Sequence, residues 1–212
     1  MKRKLIFTLA ILALFSFSCK KKTTESISYS ESDYTRLKVG NYWVYKIYKV
    51  DTNGVETDQN KIDSTYILKD TVVRGWTYYI SIAHPFPSTF PYEKSVLRDS
   101  AGYLLTLNNY GITTKIFSIN NFTDFLFIDS TSSDVRKGRM TGKDSIVTVP
   151  AGIFTTRSFR IAISMIPNWS PWGTRYFYYI YDKQAGLIKK VYVFYAGDPD
   201  HYEARLIRYY VD

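Results

Sequence analysis

Val149–Met165, VPAGIFTTRSFRIAISM, carries the reading on which the fold rests. Its first four residues put Pro second and Gly fourth, which suits a tight turn closed by a residue of positive φ. From Ser158 the chain alternates. Phe159, Ile161, Ile163 and Met165 leave one side, and Ser158, Arg160, Ala162 and Ser164 leave the other. One apolar and one polar side with a period of two is the pattern of a half-buried antiparallel strand. A helix would instead repeat its apolar residues three and four apart.

This turn-then-strand unit recurs. Asn41–Val50, NYWVYKIYKV, is β-branched and aromatic and ends at Asp51-Thr52-Asn53-Gly54. Asp99-Ser100-Ala101-Gly102 and Lys183-Gln184-Ala185-Gly186 repeat the punctuation. Each is expected to be a type I turn closed by a left-handed residue, the hairpin that carries a bulge. Strands are expected near 41–50, 60–72, 76–83, 94–99, 103–108, 112–119, 124–129, 143–149, 153–165, 174–182, 187–195 and 201–211. No stretch shows a helical stripe. In Arg175–Asp182, RYFYYIYD, both faces are aromatic, so both are covered. The expectation is an all-β domain: a single antiparallel meander of about 10–12 strands curled into a barrel or half-barrel, with a β-sandwich as the alternative.

Ahead of this domain, Lys2, Arg3 and Lys4 precede an apolar run from Leu5 to Phe17, then Ser18 and Cys19, the only cysteine. The run is shorter than the roughly 20 residues a membrane-spanning helix needs. It reads as a signal peptide. A cysteine behind a small residue at its end is where a bacterial lipoprotein is cut and acylated, although Ser16 stands where Leu is usual in that pattern. The chain then divides into a signal peptide (1–18), a lipidated Cys19 with a flexible tether (19–36) and a β-rich domain (37–212). Lys20–Asp33, KKKTTESISYSESD, is polar and unpatterned, and spans at most about 50 Å.

Losing Lys2, Arg3 and Lys4 lowers the formal charge from +9 to +6, and Lys20–Lys22 beside the lipid suit anionic headgroups. An exported chain without a recognition motif is not expected to bind nucleic acid. Lys20 directly after the cysteine favours the outer membrane of a Gram-negative envelope, on either its periplasmic or its external face. Composition does not set the oligomeric state.

Three segments, Leu37–Tyr45 (LKVGNYWVY), Val149–Thr156 (VPAGIFTT) and Tyr179–Lys190 (YIYDKQAGLIKK), resemble envelope lipoproteins of the Bacteroidota type. Gln184-Ala185-Gly186 departs from the Gly-Val-Gly more usual there. The resemblance implies a β-rich lipoprotein domain and brings no activity or catalytic residues; the expected curled meander is itself lipocalin-like or LolA/LolB-like. The O-glycosylation pattern of such bacteria is similar to the tripeptides that place Ser64, Thr71, Ser100, Ser130 and Ser145 after an Asp. Asp-Ser and Asp-Thr also simply suit turns and strand ends.

Catalytic signals are sparse. Cys19 is consumed by lipid, the only histidines are His84 and His201, and no nucleophile elbow, zinc helix or phosphate loop occurs. A non-enzymatic protein without cofactors is expected. Gly197–Glu203 crowds Asp198, Asp200 and His201, residue types that hold calcium or zinc, but a Pro-containing turn with solvated charges is the preferred reading and no metal site is expected. Two loops, His84–Tyr92 (HPFPSTFPY) and Ile166–Gly173 (IPNWSPWG), combine prolines with Phe86, Phe90, Tyr92, Trp169 and Trp172. Such rings suit stacking on sugars or lining the entry of an apolar ligand; the preferred reading is that they plug the ends of the barrel and complete its core. The functional expectation is a membrane-anchored binding or structural component of the envelope that takes a glycan or lipid ligand. The alternatives are a carrier or chaperone of lipid or lipoprotein, and a glycan hydrolase or lyase.

Overall fold

The computed structural model describes residues 32–84, 92–165, 173–194 and 198–212. A single turn of helix, α1 (Ser32–Thr35), precedes the strands β1 (Tyr42–Val50), β2 (Glu56–Val73), β3 (Trp76–Ala83), β4 (Glu93–Ser100), β5 (Tyr103–Leu107) and β6 (Thr113–Ser118). The second half contributes β7 (Phe125–Ser130), β8 (Asp134–Val149), β9 (Gly152–Met165), β10 (Thr174–Asp182), β11 (Gly186–Val193) and β12 (His201–Tyr210). Consecutive strands pair antiparallel, with one break between β6 and β7, and β12 returns to pair with β1. The meander thus curls until its first and last strands meet. It forms a nearly closed barrel with one open seam.

Closure through β1 and β12 replaces the sandwich alternative, because two separate sheets would leave these strands as edges. All the expected strands are present, and the largest boundary difference is in β8. It begins at Asp134 rather than near 143, since the polar run from Asp134 to Lys143 has no alternation of its own. The pairing of Asp134 with Met165 and onward down β9 extends it. On β9, Phe159 and Ile163 are buried and Ser164 is exposed, as the alternation predicts. Ala101 and Gly102 have φ of 50° and 84° between the paired Ser100 and Tyr103. Two consecutive positive φ values make this a two-residue type I′ turn rather than the expected bulged type I, because the primed turn matches the twist of its strands. Arg74-Gly75, between β2 and β3, is built the same way.

The core lies inside the barrel. Trp43, Tyr45 and Ile47 of β1 are buried with Phe117, Phe159, Tyr181 and Leu206. Burying one such side chain stabilises the fold by about 1.5–3 kcal/mol. The indole N–H of Trp43 donates to the Ala185 carbonyl at 2.6 Å, and the Tyr45 hydroxyl donates to the Leu187 carbonyl at 2.8 Å. Both polar handles are therefore satisfied while the rings face inward. Gly186 (φ 78°) lets the turn approach this indole, since a Cβ there would lie 3.2 Å from Trp43.

Residues 34–36 were expected in the tether and belong instead to the domain. Tyr34 and Thr35 are buried, Thr35 Oγ1 donates to the Asp99 carboxylate at 2.7–2.8 Å, and Arg36 donates to the Lys183 carbonyl at 2.9 Å. Asn41, also buried, donates to the Arg36 carbonyl and accepts from the Asp212 amide, tying both ends of the barrel chain together. An apolar periodicity search passes over such a segment because its anchors are single residues.

Candidate functional site

The barrel interior is not completely filled. A cavity of about 230 Å³ lies among Trp43, Tyr45, Leu97, Phe159, Ile161, Tyr179 and Tyr181. Its wall also carries a polar strip: Thr65 from β2, Ser81 from β3, Ser95 from β4, and Lys190 and Tyr192 from β11. Ser81 and Ser95 are direct cross-strand partners, as are Tyr179 and Lys190. The strip is therefore a product of register and not of any one segment.

Lys190 is the chemical centre of the cavity. Its ammonium donates to Thr65 Oγ1 at 3.1 Å, stands 3.5 Å from the Asp63 carboxylate and lies 4.6 Å from the centre of the Tyr45 ring. A lysine this buried requires a counter-charge. Asp63 supplies it from the β2 position paired with Tyr45. The Asp63 side chain is fully buried, and neither of its oxygens accepts a hydrogen bond among the described residues. Burial pushes this carboxyl above its usual range, against the pull of Lys190. Burial also raises the Tyr45 and Tyr192 phenols, with Asp63 adding to both, so these hydroxyls stay neutral.

The second feature is the seam. β6 pairs only with β5 and β7 only with β8. A cleft of about 530 Å³ lies along it, with Ile112 and Thr114 on one side and Phe127, Ile128 and Asp129 on the other. Ile161 and Tyr179 line both this cleft and the inner cavity. Phe127 folds over Gly138, where a Cβ would come within 2.2 Å of the ring. At the end of the seam near the β6–β7 connection, Arg157 donates to the Ile119 carbonyl and covers the rings of Tyr34 and Phe122.

Among the described residues, none of those singled out by sequence lines the cavity. Tyr92 is exposed; Phe86, Phe90, Trp169, Trp172 and Cys19 lie outside the described residues. The flanking Ala83, Glu93, Met165 and Thr174 are the ends and starts of β3, β4, β9 and β10, so both aromatic loops join odd-numbered to even-numbered strands. Asp198 and Asp200 converge on the Lys49 ammonium, at 3.0 and 2.9 Å. His201 turns to Glu203 at 3.5 Å. The three residues proposed for a metal thus do not share one centre, and the described residues hold no group of three or more His, Cys, Asp or Glu suited to one. Ser130 and Ser145 are exposed, whereas Ser64, Thr71 and Ser100 are half-buried. Asp63, read as the first residue of a glycosylation tripeptide, points into the barrel.

Sequence reasoning missed Asp63, Thr65 and Lys190 as interior groups. One signal was available: Lys190 shares a strand face with Tyr192, two residues on, and follows the apolar Gly186–Ile188 segment. Nothing local pairs it with Asp63.

No protein-family model matches the chain, and no curated protein matches it. Two solved structures are similar. One is a protein from Bacteroides fragilis described as exported and as having a YmcC-like fold, with 13% identity and a TM-score of 0.49, covering 84% of this chain and 98% of that one. The other, from Parabacteroides distasonis, is described as a lipoprotein, with 12% identity and a TM-score of 0.53, covering 83% of this chain and 97% of that one. At such identity the second likeness is one of fold: the nearly closed antiparallel barrel is shared over almost the whole of that chain.

Proposed function

We propose that this chain is a lipoprotein of the cell envelope, anchored at the outer membrane through Cys19, whose barrel binds a small ligand without converting it. The observation that carries the binding reading is the interior cavity with a buried Lys190 among apolar walls. A domain with a purely structural role gains nothing from leaving space there, since voids forfeit packing energy and buried charge is costly. The seam beside the cavity favours the carrier form of this reading over a fixed receptor. The signal peptide, the single cysteine and the polar tether support the anchor. The Parabacteroides structure, described as a lipoprotein, agrees with it.

Mass spectrometry of the mature protein extracted from membranes tests both parts. Wild type is expected to carry acyl chains on Cys19 and a non-covalent small molecule, and Leu97→Trp, which fills the cavity, to keep the acyl chains and lose the cargo. An unmodified cysteine in a soluble protein would overturn the anchor. Equal cargo, or none, in both proteins would overturn the interior binding site.

A further inference from the structure

The cavity and the seam cleft have complementary chemistry. Lys190 has three N–H donors, of which Thr65 takes one at 3.1 Å, while Asp63 at 3.5 Å supplies a counter-charge without forming a hydrogen bond. The ammonium lines the cavity and Asp63 does not; the carboxylate on the lining is that of Glu93, exposed at the start of β4. A cationic donor is therefore presented to the space, with its carboxylate set behind it. The inner cavity alone, at about 230 Å³, falls short of the roughly 300–1,000 Å³ of ordinary ligand pockets. It shares Ile161 and Tyr179 with a cleft of about 530 Å³, whose walls include Ile112, Phe127, Ile128, Ile163 and Phe177. At the outer rim, Ile112 and Ile128 are each 60% exposed and neighbouring Tyr110 is 88% exposed.

We propose that the cavity and the cleft form one site for a single-chain amphiphile with an anionic head. The head accepts from the Lys190 ammonium, and the chain passes Ile161 and Tyr179 to leave through the β6–β7 seam. This rests on the interior-binding reading above and adds to it the ligand class and the route. A cationic head would face the ammonium unfavourably. The side chains of Leu37, Ile67, Leu97, Leu104, Ile161 and Leu187 on the lining suit an aliphatic chain better than a sugar, each of whose hydroxyls needs a polar partner. Because β6 and β7 share no ladder, sideways entry breaks no sheet hydrogen bond. The exposed isoleucines give the chain an apolar sill where it meets water or a membrane.

The test measures displacement of a fluorescent fatty acid from the mature full-length protein by a sixteen-carbon fatty acid, the matching alcohol and the matching amine. Wild type is expected to prefer the acid over the alcohol by about tenfold, the difference between a charge-assisted and a neutral hydrogen bond, and to bind the amine worst. Lys190→Met combined with Asp63→Asn, which avoids orphaning the buried carboxylate, is expected to bind the alcohol as before and to lose the preference. Ile161→Trp is expected to weaken acid and alcohol alike. Circular dichroism verifies that each variant is folded. A wild type that treats acid and alcohol equally, or a double variant that keeps the preference, overturns the head-group assignment; undiminished binding in Ile161→Trp overturns the route. Binding of short polar molecules but of no long-chain compound would overturn this inference and leave interior binding standing, whereas no cargo and no binding of any probe would remove both.

Discussion

Where β1 meets β12, a continuous ladder runs from Tyr42 and Tyr210 to Val50 and His201; where β6 meets β7, there is none. The first junction is supported on both faces. Inside it, Tyr45, Ile47, Ala204 and Leu206 have no exposed surface. Outside it, Arg205 bridges Glu56 and Glu203, and Lys189 reaches Glu203 at 2.6 Å. The second junction has no ladder, and near one end of it Arg157 donates to the Ile119 carbonyl and the Ser118 amide donates to Met140 Sδ at 3.3 Å. A closed sheet has no spare edge, but it also has no door. The difference shows how an antiparallel barrel concentrates its stability in one junction and leaves the other the easier to open, since regions with few backbone bonds open at the lowest free-energy cost.

The sharpest way to break this comparison is at the sealed junction. Leu206→Ala removes a fully buried side chain and is expected to cost about 2–5 kcal/mol, measured by urea unfolding. A loss of only a few tenths would mean that the β1–β12 closure does not hold the barrel together. Next is β7, the strand along one side of the seam, where Gly138→Ala on its β8 partner drives a methyl group into the Phe127 ring. The expected cost is about 1–3 kcal/mol, and hydrogen exchange should accelerate in β7 while β1 and β12 keep their protection. Uniform acceleration over all strands would erase the distinction between the two junctions.

The smallest effect concerns the ion network on the outer face. Burial disfavours the charged form of Glu203, but hydrogen bonds from His201 and Lys189 and the charge of Arg205 outweigh it and hold its pKa at about 2, below the ordinary 4.5. A carboxyl depressed on folding contributes stability that is present above its ordinary pKa and lost as pH falls toward its folded pKa. Wild type should therefore lose about 1–2 kcal/mol between roughly pH 5 and pH 2 relative to Glu203→Gln, whose curve lacks this component. Parallel acid profiles for the two proteins would show that the network does not reinforce the sealed junction.

Much of the architecture was legible before any coordinates. The alternation after Ser158 and the aromatic run after Asn41 are local, and strands form where both predict them. The turns at Asp99 and Lys183 are local in the same way, although the type I′ geometry of Ala101-Gly102 answers to the twist of the flanking strands. The first half of β8 was illegible because its polar residues become a strand only when β9 supplies partners. Tyr34 was illegible because one ring fitting one gap leaves no periodic trace. The candidate site was the least legible part. Attention went to Phe86, Phe90, Trp169 and Trp172, whose composition is conspicuous, while Lys190 stood inside a segment read only as a strand.

The sequence by itself determined that the strands exist, which way they face where one side is apolar, as in β9, and where the turns fall, because a pleat of period two and the φ demands of a tight turn act between neighbours a few residues apart. It also carries the pattern read as a signal peptide, with Cys19 behind it. Tertiary structure alone decided that the meander closes between β1 and β12 and stays open between β6 and β7. It alone set the register that brings Asp63, Thr65 and Lys190 together, with Thr65 and Lys190 separated by 125 positions. The reason is physical: register and closure depend on how many strands curl and by how much, so the groups that meet in the interior are chosen by the whole sheet and by no segment of it.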